Sequence, residues 1–125
     1  MTEPVDSVDI AVAGDPARAR DTVAGALAAR QFALTWSDDW NAIATRGSKT
    51  KQALLGALAL YLEVAVSVFA VNGAVIVRLS RPSTGITGGL AGRAKARNQF
   101  ASLTFEVTEV FRANGVLLPP PASQN

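Results

Sequence analysis

The chain has 125 residues, none of them cysteine or histidine. The first absence excludes disulfides, thiolate metal sites and cysteine nucleophiles. The second removes the commonest general base and the commonest metal ligand. Aromatic residues make up only 6% of the chain. Phe100 alone stands among the basic residues, where a nucleic-acid stacking surface needs several rings. Acidic charge is scarce where basic charge is plentiful: residues 40–105 carry Glu63 as their single acid against eight bases, a net +7.

What is present suits one folded domain. Hydrophobic residues are 49% and charged residues 18%, a globular composition, and the length supports a single core. Net charge is +2 but unevenly placed, with residues 1–39 at −4. Such asymmetry points to an anionic partner for the second part of the chain. The plainer reading, that the bases merely decorate loops, stands beside it.

The start, Met1-Thr2-Glu3-Pro4, is acidic and lacks a basic, then apolar, leader pattern, so no secretory signal is expected. Residues 53–77 hold one charge and are long enough to be weighed as a membrane span. Glu63 and Asn72-Gly73 interrupt the run, and Val64, Val66 and Val68 alternate with small or polar residues. Asn-Gly between alternating runs signals a tight hairpin. A two-residue turn pairs Ala70 with Val75, Val68 with Val77 and Val66 with Leu79, all on one face. Glu63, Ala65, Ser67, Phe69, Ile76, Arg78 and Ser80 fall on the other. No transmembrane segment is expected.

Periodicity and punctuation predict a strand at 8–13, a helix at 17–30 after an Asp15 cap and Pro16, and strands at 32–36 and 40–46. A long hairpin over 60–71 and 74–81 follows, then a second helix over 93–114 closed by Asn114-Gly115. Ala19, Val23 and Leu27 should face inward from the first helix. Ala96, Phe100, Leu103, Val107 and Val110 or Phe111 should do so from the second. The expectation is an α+β, two-layer domain over residues 1–117: a mainly antiparallel sheet of about five strands, two helices on one face, order β-α-β-β-β-β-α. Residues 118–125, rich in proline, read as a disordered tail. The order resembles that of sheet-plus-helix grip folds of the TATA-binding-protein-like kind. The likeness is of element order alone and carries no functional residue with it.

No motif identifies a chemistry. The Gly14-Asp15-Pro16 step resembles the entry to a nucleotide site but lacks the glycine fingerprint and the repeated parallel units. Residues 85–95 place glycines and then Arg93 and Lys95 at a helix start, where bare amides attract anions. They fail the phosphate-loop pattern, and the Gly85-Ile86-Thr87-Gly88 quartet follows a strand, unlike the nucleic-acid clamp between two helices. The plainer reading is a linker from sheet to helix. Asp38-Asp39 and Glu106 with Glu109 read as solvated charges, and Glu63, Ser67 and Tyr61 include no nucleophile with its base. No enzyme activity, catalytic residue, cofactor or metal is expected.

Spacing suggests more. Strand ends in an antiparallel hairpin meet, so Arg46, Lys49, Lys51, Arg78, Arg81, Arg93, Lys95 and Arg97 should gather on one rim as an anion-binding or partner-binding patch. Leu54 and Leu55 beside them would insert into a bilayer surface; in the competing reading Leu54, Leu55 and Leu58 fold into the core. The function expected is a small, non-enzymatic cytoplasmic adaptor engaging membrane headgroups, peripherally at the inner face, or an acidic protein surface. The alternatives are a nucleic-acid-binding module and a carrier of a small hydrophobic ligand between sheet and second helix.

Overall fold

The computed structural model describes residues 7–47, 62–81 and 89–119, with 89–96 described by backbone alone. Strand β1, Ser7–Val12, ends at Gly14, whose φ of +106° a side chain would resist. Helix α1, Pro16–Ala29, starts on the proline, and Asp15 precedes it in extended conformation. The cap differs from expectation: the Asp15 side chain makes no capping hydrogen bond. Its carbonyl accepts the Ala19 N–H at 3.0 Å. At the other end Gln31 takes a left-handed φ of +75°. The Gln31 and Phe32 amides return to the carbonyls of Ala28 and Leu27, a Schellman closure that carries buried Phe32 under the helix.

Strands β2 (Ala33–Trp36), β3 (Asn41–Arg46), β4 (Leu62–Val71) and β5 (Ala74–Ser80) follow, then helix α2, Gly89–Ala113. The helix starts four residues before Arg93, the start expected from sequence. The five strands lie in the order β1-β5-β4-β3-β2, every neighbouring pair antiparallel. The hairpin register is the one the two-residue turn dictates: Val66 opposite Leu79, Val68 opposite Val77, Ala70 opposite Val75. Asn72 and Gly73 take φ of +51° and +83°, as a type I′ turn requires.

Alternation sorts the sheet into two faces. Ile10, Val12, Ala42, Ala44, Val64, Val66, Val68, Val75, Val77 and Leu79 are buried on one. Against them pack Val23 and Leu27 of α1 and Phe100, Leu103, Val107 and Phe111 of α2. Both helices therefore cover the same face, and the other carries no described element. Ala42 and Ala44 have little volume, and Phe32, which lies against the Arg46 guanidinium of β3, belongs to the same core.

Beyond α2, Gly115 at φ +78° turns the chain back to β1. Ala13 N–H donates to the Val116 carbonyl at 2.8 Å, and Leu118 N–H to the Ala11 carbonyl at 2.9 Å. Leu118, expected to open a disordered tail, is instead held to the sheet, because α2 ends level with the free edge of β1. Residues 120–125 lie outside the described residues.

Candidate functional site

Strand ends place Arg46 and Arg81 at one end of the sheet. Arg46 closes β3 opposite Leu62, the first residue of β4. Arg81 follows the last residue of β5, whose Ser80 lies across from Ala65. Helix α2 reaches the same end: Arg46 Nη2 donates to Gln99 Oε1 at 3.0 Å. Arg97, two residues earlier, is exposed and has no partner among the described residues. Arg93 and Lys95 belong to the preceding turns of α2. Lys49, Lys51, Leu54, Leu55 and Leu58 lie outside the described residues.

Arg46 and Arg78, however, do not share a surface, and the expected single patch is corrected there. Arg46 sits across from buried Leu62, on the helix-covered face. Arg78 sits across from Ser67 and Asp9, on the open face. Strand ends set the end of the sheet, but residue parity sets the face. Each guanidinium is also engaged at home. That of Arg46 lies 4.7 Å over the Phe32 ring, and its Nη1 donates to the Arg30 carbonyl at 3.2 Å. Arg78 holds Asp9 through Nε to Oδ1 at 2.7 Å and Nη2 to Oδ2 at 2.9 Å, with its guanidinium carbon 5.0 Å over Phe69. The paired hydrogen bonds lower the Asp9 carboxyl below its ordinary range and raise Arg78 above its own.

A hollow of about 520 Å³ opens beside Arg46, lined by Asn98, Gln99, Ser102, Leu103 and Glu106. Glu106 at its far side pairs with Arg30 Nε at 2.6 Å and ties α1 to α2. One apolar side chain among these walls is poor chemistry for the hydrophobic ligand of the carrier reading.

The opposite end of the sheet holds a cluster that the sequence presented only as a turn. Asp38 Oδ1 accepts the Trp40 N–H at 2.7 Å, and its two oxygens accept Asn41 Nδ2 at 3.0 and 3.1 Å. The Trp40 amide foremost, and then Asn41, hold the Asp38 carboxyl below its ordinary range. A carboxylate kept charged in this way is unsuited to general-acid work. Ser67 Oγ donates to Asn41 Oδ1 at 2.7 Å. The Arg20 guanidinium lies 5.0 Å over the Trp40 ring and donates to the Asp39 carbonyl at 3.3 Å. The sequence signal was present in two tryptophans flanking Ser-Asp-Asp. Its link to Arg20 was not, since that contact joins α1 to the β2–β3 turn.

Among the described residues no group of three acidic, cysteine or histidine side chains converges as a metal site, and no helix is long and apolar enough to cross a membrane. No protein-family model and no curated protein matches the chain.

Proposed function

We propose that the protein is a non-enzymatic adaptor that uses the basic end of its sheet to engage an anionic surface. The contact between Arg46 and Gln99 supports this reading most directly. It puts the end of β3 against α2 two residues from exposed Arg97, and Arg81 closes β5 at the same end. Arg93 and Lys95 precede Arg97 in the helix, and Lys49 and Lys51 follow β3 in sequence. Arg46 is a structural member of this arrangement, and Arg78, on the other face of the sheet, lies outside it. Their charges are already spent on Phe32, Gln99 and Asp9. The working cations are then Arg97, Arg93, Lys95, Lys49 and Lys51, with half-buried Arg81 adding its charge to the same end of the sheet.

Sedimentation with anionic and with neutral phospholipid vesicles tests the reading, with duplex DNA as a competing polyanion. Anionic vesicles should retain the protein at low salt and lose most of it at 0.15 M, where the screening length is about 8 Å. Reversal of Arg93, Lys95 and Arg97 to glutamate should abolish retention while leaving the thermal midpoint unchanged, since exposed charges contribute little to stability. Equal retention of the triple variant would refute the proposal. Preference for DNA would transfer the site to the nucleic-acid alternative.

A further inference from the structure

The pairing of β3 with β4 stops before β4 does. Strand β4 runs on to Val71, but β3 begins at Asn41 opposite Ser67. One bond follows, from Val68 N–H to the Trp40 carbonyl at 3.0 Å. Its reciprocal is missing because the Trp40 N–H is turned onto Asp38 Oδ1. The Val68 carbonyl is therefore left on an edge with no described strand beside it. Alternate residues of an antiparallel strand present their polar groups to alternate neighbours. Ala70, in phase with Val68, presents its N–H and carbonyl to the same vacant side, and it is exposed. An acceptor, a donor and a second acceptor stand there at ladder spacing.

This edge borders a hollow of about 470 Å³ walled by Pro16, Trp40 and Phe69, with the polar pair Asn41 and Ser67 beside them. Trp40 is a fixed wall, held through its amide, its carbonyl and the Arg20 guanidinium over its ring. The surroundings are acidic. Asp15 adjoins Pro16, and Asp38 and Asp39 adjoin Trp40. The nearby base, Arg20, is occupied by the ring of Trp40, the Asp39 carbonyl and Asp21.

We propose that residues 68–70 take up an extended peptide segment of a partner protein by strand addition, an apolar side chain filling the hollow and basic residues lying against Asp15, Asp38 and Asp39. Main-chain bonds supply the attachment, and the hollow and the acids supply the selectivity. A second copy of this chain is the poorer occupant, because joining two such edges would bring like acidic groups together.

The probes are the blocked hexapeptide acetyl-Lys-Thr-Val-Leu-Thr-Lys-amide and its counterpart with glutamate at both ends. Amide hydrogen exchange and chemical shifts of the parent protein report on the edge without any substitution. The lysine peptide should slow exchange at Ala70 and shift residues 68–71, and the glutamate peptide should do neither. Ala70→Pro deletes the edge donor while leaving the ladder to β5 complete, as proline is tolerated on that side of a strand. It should weaken the lysine peptide about tenfold. Asp39→Lys should weaken the lysine peptide and strengthen the glutamate one. The proposal is overturned if Ala70 is unaffected in the parent, if both peptides bind alike, or if folded Ala70→Pro binds as the parent does. Self-association of the parent that Ala70→Pro abolishes would also overturn it, making a second copy the occupant.

Discussion

Arg78 grips Asp9 with two parallel hydrogen bonds across the seam where β1 meets β5. The bond lowers the Asp9 pKa in the folded state relative to the unfolded chain, through the guanidinium's hydrogen bonds foremost. A carboxyl of this kind binds fewer protons folded than unfolded, so it adds stability above its ordinary pKa of 3.8. That contribution is lost as pH falls through and below this value. Asp38, lowered in the same sense by the Trp40 amide, behaves likewise. The thermal midpoint of the parent should therefore drop on acidification below about pH 4, and that of Asp9→Asn should drop less steeply. Scanning calorimetry across the acid range decides it. Equal slopes would mean that the pair does not persist in solution.

The hairpin turn offers a cleaner conformational test. A Cβ added at Gly73 would meet nothing within 4 Å, yet φ there is +83°. Gly73→Ala should thus cost about 1–2 kcal/mol through backbone conformation alone. A drop in urea midpoint with an unchanged m-value would confirm that origin, and an unchanged midpoint would contradict it.

Gln31 carries the reverse opportunity. It holds φ +75° at the C-terminus of α1, a left-handed position that glycine takes at no steric cost. Gln31→Gly should stabilise the fold, by up to about 1 kcal/mol, read as a raised denaturation midpoint. A lowered midpoint would mean that the Gln31 side chain contributes more than its backbone strain costs.

Phe100, 3% exposed, is part of the helical layer packed on the sheet. Phe100→Ala should cost about 3–5 kcal/mol, a large share of the 5–15 kcal/mol that holds a typical domain. Cooperative unfolding with an unaltered midpoint would remove Phe100 from the core.

Local pattern carried most of the fold. The Asn72-Gly73 turn dictated the hairpin register rung by rung, and the 3.6-residue period located Val23, Leu27, Phe100, Leu103 and Val107. The rim was legible only in part. Alternation assigned Arg78 to the face of Ser67, and the same parity, applied from Leu62, assigns Arg46 to the other. Strand ends alone do not carry that information. The Asp9–Arg78 and Arg20–Trp40 contacts join residues distant in the chain. Nothing local encodes them, because they depend on β1 pairing with β5 and on α1 crossing to the β2–β3 turn.

The course of β1 has a consequence for synthesis. Ser7–Val12 is made before every other described element, yet its neighbours are β5 and, through Ala11 and Ala13, residues 116–118. A nascent chain must hold this strand unpaired while the four other strands are translated, and its outer edge stays open until residue 118 has emerged. The β4–β5 hairpin closes across a two-residue turn, whereas β1 meets β5 by pairing residues as far apart as Ser7 and Ser80 and so carries the larger loop-closure cost.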